Sequence, residues 1–286
     1  MTTLLDTHVH VWGGSTIAYP WLAEVPDLGR VCAPHQIDRA DALTTRMVAV
    51  EADAAPTDRL SEAQWIAGLQ NEWPELAAIV AGVDLGGDVP RQLDALSQID
   101  LVVGVRHQLQ SEPAESWRVD AISAGLAELA RRGWTFDACV RHRQLPAFLE
   151  IARSSPGSKI VIDHLGKPPV DAGIASAEGL AWKDSIQRLA ELPNVTVKIS
   201  GLAAESTDEA SFDANADAFI AAAVEAFGVE RSMIGSDWPV SAVLGGRSTT
   251  SGWVERVRRA VFPTPEEWDL LAGGVGERFY GLAPAR

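Results

Sequence analysis

Eight short apolar runs alternate with longer stretches that carry helix signals, from one end of the chain to the other. The runs cover 4–12, 46–52, 77–85, 101–109, 135–141, 159–165, 195–202 and 232–238. Lys159-Ile160-Val161-Ile162 and Leu101-Val102-Val103 lack clean polar alternation, which marks strands buried on both faces, as in parallel sheets. Helices are expected near 57–73, 88–99, 116–132, 142–154, 178–192 and 252–261. Thr264-Pro265-Glu266-Glu267 has a capping residue, proline at the first helical position and glutamate closing a capping box. Ser206 with Glu209 forms a second candidate box. In the helix after it, Phe212, Ala216, Phe219, Ile220, Ala223 and Phe227 fall on one face as a packing stripe.

Eight strand–helix alternations close most economically as a (β/α)8 TIM barrel with its helices outside. An open doubly wound sheet is the competitor, and it usually carries a glycine-rich phosphate turn after its first strand. Gly13-Gly14-Ser15 follows the first run, but no G-x-G-x-x-G occurs. The length of 286 residues suits one barrel, and no repeat, low-complexity tract or long linker divides the chain. A single domain over 1–286 is expected.

The formal net charge of −15 argues against nucleic acid or an anionic membrane surface as partner. No apolar run approaches the roughly 18 to 20 residues of a membrane span, and no secretory signal is evident. Cys32 and Cys139 are too few for a disulfide framework and read as reduced thiols of a cytoplasmic protein. Asn194-Val195-Thr196 matches a glycosylation acceptor and, without a signal, reads as chance. A homo-oligomer is compatible with all of this.

Ionisable residues sit at the ends of the runs, where apolar ones would continue. His8 and His10 are two apart on the first strand and share a face, so both should enter the barrel mouth. Such a pair suits metal binding or polarisation of a carbonyl oxygen, and equally a hydrogen-bonded structural pair. Arg106-His107 ends the fourth run, Asp163-His164 the sixth, Lys198 stands on the seventh and Asp237 on the eighth. In a barrel these ends converge on the face that holds the active site. Asp163 and His164 are neighbours, so His164 is expected inside and Asp163 is expected to buttress a neighbouring strand or loop. Asp137 and Glu51 suit either a substrate hydroxyl or an ion pair with an arginine. Cys139 reads as packing, and the absence of G-x-S-x-G counts against a serine esterase.

These residues carry a pattern. The chain resembles the amidohydrolase superfamily, in its branch of sugar-acid lactonases and pyrone-dicarboxylate lactonases. The resemblance rests on Asp6-Thr7-His8-Val9-His10-Val11-Trp12, Gly104-Val105-Arg106-His107-Gln108, and Ile162-Asp163-His164-Leu165-Gly166-Lys167-Pro168. It continues through Val197-Lys198-Ile199-Ser200-Gly201-Leu202, Gly235-Ser236-Asp237-Trp238-Pro239 and Phe279-Tyr280-Gly281-Leu282. These segments keep the family order and span nearly the whole chain.

The resemblance implies hydrolysis of a cyclic ester. Asp237 would be the general base, with His8, His10, His164 and Arg106 around the carbonyl or an acidic substituent. Trp12, His107, Asp137, Lys198 and Trp238 are candidate substrate contacts. Metal-dependent relatives commonly add a histidine on the fifth strand and, in binuclear forms, a carboxylated lysine on the fourth; Phe136-Asp137-Ala138 and Arg106-His107 stand there instead. A mononuclear zinc or other divalent metal on His8, His10 and Asp237, with or without His164, stays open, although the branch does not generally need one.

The chain has 10 tryptophans against 2 tyrosines, and Trp12, Trp21 and Trp238 lie on or near strand-end loops. A tryptophan face suits the apolar side of a sugar ring. Residues 108–113 resemble the sugar-lactonase members, and beyond Arg106 and Arg141 the arginines expected for a dicarboxylate are missing. An aldonolactone such as fucono-, rhamnono- or galactonolactone is expected as substrate. The rival readings are a metal-dependent non-oxidative decarboxylase of the same superfamily and a barrel that binds a sugar acid without turnover.

Overall fold

The computed structural model describes residues 3–29, 31–243 and 249–284. Residues 1, 2, 30, 244–248, 285 and 286 of the expected domain lie outside the described residues. Each apolar run overlaps one strand: β1 (Leu4–Val9), β2 (Thr44–Val50), β3 (Leu76–Gly82), β4 (Val102–His107), β5 (Thr135–Ala138), β6 (Lys159–Ile162), β7 (Val195–Ile199) and β8 (Ser232–Ile234). They form one parallel sheet in sequential order, β1 to β8. Helices α1 (Arg59–Gly68), α2 (Val89–Leu96), α3 (Val119–Arg132), α4 (Leu145–Arg153), α5 (Ala177–Ala190) and α6 (Glu209–Phe227) alternate with the strands. After β8 come α7 (Val240–Val243), α8 (Thr250–Val261), α9 (Pro265–Asp269) and α10 (Val275–Tyr280). This is a (β/α)8 barrel.

The sheet closes where β1 meets the chain just after β8. Asp237 N–H donates to His8 O at 2.8 Å, and His10 N–H donates to Trp238 O at 2.8 Å. Thr7 Oγ1 donates to Ile234 O at 2.8 Å, and Asp6 Oδ1 accepts Ser236 N–H at 2.8 Å. The seam is therefore made by the segments that carry the expected site residues.

Two apolar layers follow from strands buried on both faces. Outward residues such as Val9, Ile79, Phe136 and Val197 pack under the helices, and α6 lays its stripe of Phe212, Phe219, Ile220 and Phe227 there. Inward residues, among them Leu5, Val48, Val80, Val161 and Met233, fill the barrel together with Val275, Phe279 and Tyr280 of α10. Some ends were legible and one was not. Both halves of the capping box at Thr264 and Glu267 form. At α6 the expected Ser206 cap is replaced by Asp208, whose side chain accepts Ser211 N–H, because the helix begins only at Glu209. Ser206 Oγ instead bonds Asp171 Oδ1 at 2.5 Å.

Candidate active site

The first strand presents its histidines as its period of two requires. His8 is fully buried, and His10 is 5% exposed, with Nε2 atoms 3.0 Å apart. His10 Nδ1 lies 2.9 Å from Val50 O, which only accepts, so this nitrogen carries a proton and Nε2 is the one that holds the lone pair in the neutral ring. His8 Nδ1 lies 3.2 Å from Lys198 Nζ and 3.4 Å from Asp163 Oδ1. Burial and the Lys198 ammonium hold the His8 imidazole well below its usual range, so it is neutral.

The end of β6 departs from the expected alternation. Asp163 buttresses neighbouring strands, as one of its two expected roles has it, but it does so from the same side as His164 and not from the opposite face. The strand stops at Ile162, and His164 and Leu165 take left-handed φ angles of 54° each, which cancels the one-in, one-out rule. Asp163 then reaches His8, Lys198 Nζ at 3.2 Å and Arg106 Nη1 at 3.6 Å. Burial would raise its carboxyl, but Lys198 and His8 outweigh burial and hold it well below the carboxylate range. The turn is braced from outside, where Trp182 Nε1–H donates to Leu165 O at 2.7 Å. His164 Nδ1 bonds Ser200 Oγ at 2.9 Å, and a Cβ on Gly201 would lie 2.3 Å from that nitrogen. Glycine at 201 is thus required by His164 as well as by its own φ of 73°.

Asp237 stands past β8 at φ 58°, a strained conformation for a non-glycine residue. Its Oδ2 accepts Ser241 Oγ–H at 2.8 Å. Its Oδ1 lies 3.5 Å from His10 Nε2, 3.7 Å from His164 Nε2 and 3.8 Å from His8 Nε2. Burial pushes this carboxyl up, but the imidazoles of His164 and His10 outweigh it, so Asp237 is a carboxylate at neutral pH.

Under the imidazoles lies a buried ionic floor. Arg106 Nε pairs with Glu51 Oε1 at 2.6 Å, and Arg106 Nη1 comes within 3.4 Å of His8 Nε2. Glu51 is therefore an ion-pair partner. Lys198 Nζ meets Asp137 Oδ2 at 2.5 Å, and Tyr280 O–H donates to the same oxygen at 2.8 Å. Burial pushes the Asp137 carboxyl up to about 6 even against Lys198.

A cleft of about 330 Å³ opens above this floor. Four expected residues line it: His10, Arg106, His164 and Asp237. His8 is one layer below, and the proposed substrate contacts fall elsewhere. Trp12 is fully buried and donates Nε1–H to Gly29 O at 3.2 Å. Trp238 is buried against a separate crevice with Leu202 and Trp253. His107 alternates with Arg106, so it points away from the barrel interior and meets Glu112 Oε1 at 3.2 Å. Asp137 and Lys198 are completely buried in the floor. None of these five borders the cleft. Trp21, Asp53, Gln108, Gln110, Arg141 and Lys167 do. Of these, Asp53 and Lys167 were missed as site residues, although Asp53 follows Glu51 by two positions and Lys167 lies within the His164 motif.

The donor set fits a divalent metal. His8, His10 and Asp237 offer ligand atoms within 4.8 Å of one another, and His8, Asp163 and His164 form a second such triad. The lone pair left on His10 Nε2 by the Val50 carbonyl is the kind a metal uses. His164 thus falls in the second triad, which shares His8 with the first, and its Nε2 lies 3.7 Å from Asp237 Oδ1.

The amidohydrolase family model matches residues 5–282. The chain is 29% identical to an L-fucono-1,5-lactonase of Burkholderia ambifaria over 99% of this chain and 97% of that one. It is 30% identical to an L-fucono-1,5-lactonase of Burkholderia multivorans over 97% and 96%. A crystal structure of a zinc-bound amidohydrolase from Burkholderia multivorans superposes with a TM-score of 0.86 at 29% identity, covering 98% of this chain and 100% of the other. Sequence, barrel order and buried histidine–aspartate cluster together place this chain in the amidohydrolase family, a family of hydrolases.

Proposed function

We propose that this chain hydrolyses a sugar-acid (aldono) lactone to the open-chain aldonic acid, with Asp237 activating water. One observation carries the reading: Asp237 Oδ1, with Oδ2 tethered by Ser241, faces three imidazoles at the floor of a 330 Å³ cleft. The two lactonase relatives, similar over nearly their full length, support the substrate class.

In this mechanism Asp237 takes a proton from water as its oxygen attacks the lactone carbonyl carbon. Arg106 and His164 stabilise the oxyanion as its charge develops. The intermediate collapses, the ring C–O bond breaks, and Asp237 returns its proton to the leaving alkoxide. Neutral imidazoles beside an ionised aspartate suit this division of labour. A divalent metal held by His8, His10 and Asp237 would polarise the carbonyl as a Lewis acid. The reaction as proposed does not require it, a reading supported by the Arg106 guanidinium already set 3.4 Å from His8 Nε2. The free, buried Cys32 and Cys139 support a cytoplasmic setting.

The test is proton release from a panel of fucono-, rhamnono- and galactonolactones, with and without chelator. Turnover above the spontaneous rate that survives chelation is expected. No turnover of any lactone removes the reading, and full loss of lactone turnover on chelation shows that the hydrolysis needs a metal.

A further inference from the structure

The cleft is electrically polarised across its width. Loops following β1 and β2 contribute Glu24 and Asp53, and loops following β5 and β6 contribute Arg141 and Lys167. In an eight-strand ring numbered in order, β1 faces β5 and β2 faces β6, so acids and cations stand on opposite walls. Both cations share Glu205, Lys167 Nζ with Oε1 at 2.9 Å and Arg141 Nη1 with Oε2 at 3.8 Å, so this wall keeps one net positive charge. On the acidic wall, no hydrogen bond or ion pair reaches the Asp53 carboxylate among the described residues.

Asp53 is also held there deliberately. Its φ of 55° is left-handed, a strained state for a non-glycine residue. Its N–H donates to Glu51 Oε2 at 2.8 Å, while the other Glu51 oxygen holds Arg106. Trp21 is fixed next to it by an Nε1–H bond of 2.7 Å to Ala52 O. Trp21, Glu24 and Asp53 line both the cleft and a second cavity of about 300 Å³. A half-buried acceptor beside an immobile indole matches a ring that is apolar on one face and edged with hydroxyls.

We infer that Asp53 is a specificity-determining residue that accepts hydrogen bonds from the hydroxyls of an uncharged aldonolactone, with Trp21 against the ring. The polarity orients the ligand, hydroxyl-bearing tail toward β2 and carbonyl toward the cationic wall. It also disfavours a ring carrying a carboxylate on the Asp53 side. This inference rests on the lactonase reading and refines it.

The experiment compares the best aldonolactone with δ-valerolactone, a six-membered lactone without hydroxyls, as a ratio of kcat/KM values. Asp53→Gly removes the side chain and tolerates the left-handed backbone, so the variant should fold. The ratio is expected to fall about tenfold or more in Asp53→Gly, and by less in Asp53→Asn, which keeps one acceptor oxygen. A purely structural role would slow both lactones alike and leave the ratio within about twofold of wild type, which overturns the inference. Wild-type turnover of δ-valerolactone without any aldonolactone overturns it as well. If neither lactone is hydrolysed, the lactonase reading fails separately. Calorimetric binding of the aldonolactone then decides, with about tenfold weaker Kd in Asp53→Gly expected and an equal Kd overturning the inference.

Discussion

Ser241 Oγ donates to Asp237 Oδ2 at 2.8 Å, and this bond leaves Oδ1 turned toward the histidines. Without it the carboxylate would be free to rotate away from the attacking water. Ser241→Ala should lower kcat about tenfold and leave KM within about twofold, because the lost bond is to a charged group that acts on the reacting water. Steady-state kinetics on the preferred lactone check this, and an unchanged kcat removes Ser241 from the positioning of the base.

Asp237→Asn should lower kcat by roughly a thousandfold, within the usual reach of a general base. Asparagine tolerates the left-handed backbone at φ 58°, so the melting temperature should stay close to wild type. More than a tenth of wild-type kcat in a folded variant would falsify the assignment.

Lys198 is a structural cation here, enclosed by Asp137 and Asp163 beneath His8. Lys198→Met should remove the ammonium that two buried carboxylates share, leaving them only Tyr280, His8 and Arg106, and destabilise the fold by about 3–5 kcal/mol. Denaturant titration measures this. A variant of normal stability with a raised KM would restore Lys198 as a substrate contact.

Glu62 on α1 accepts Ala52 N–H at 2.9 Å, and burial together with Glu51 pushes its carboxyl up to about 8. Its ordinary value is 4.5, so between that pH and about 8 the native state holds a proton that the unfolded chain releases. Stability from this group is complete below the lower value and declines as pH rises toward the upper one. Between pH 7 and pH 8.5, above the range in which the buried neutral imidazoles of His8 and His164 oppose it, the melting temperature should drop, and Glu62→Gln should flatten that slope. Identical slopes in the two proteins would show that Glu62 does not set it.

The barrel was readable because strands buried on both faces leave unbroken apolar runs, and the eight runs locate all eight strands. His8 and His10 were readable because the strand runs to Val9, between them, and positions two apart keep one face there even though the pairing with β2 shifts between Asp6 and Val9. Asp163 was misplaced because alternation assumes extended backbone, and the chain turns left-handed one residue after it. Trp12 was misplaced for a different reason: proximity to a strand end says nothing about which way a large ring packs, and here it enters the core. His107 could have been separated from Arg106 by the same alternation that joined the two histidines. Asp53 gave little signal, since its importance depends on a backbone angle and on Glu51, neither of which a single sequence displays.

The hydrogen bonds from Asp237 N–H to His8 O and from His10 N–H to Trp238 O make one seam serve two purposes. Closing the cylinder and assembling the reactive centre are the same event. On the mechanism proposed above, a polypeptide still emerging from the ribosome has no hydrolytic capability until residue 237 has been laid beside residue 8, however well its earlier portions have folded. On the same mechanism, loosening of either margin in the mature molecule would separate the base from the histidines it works beside.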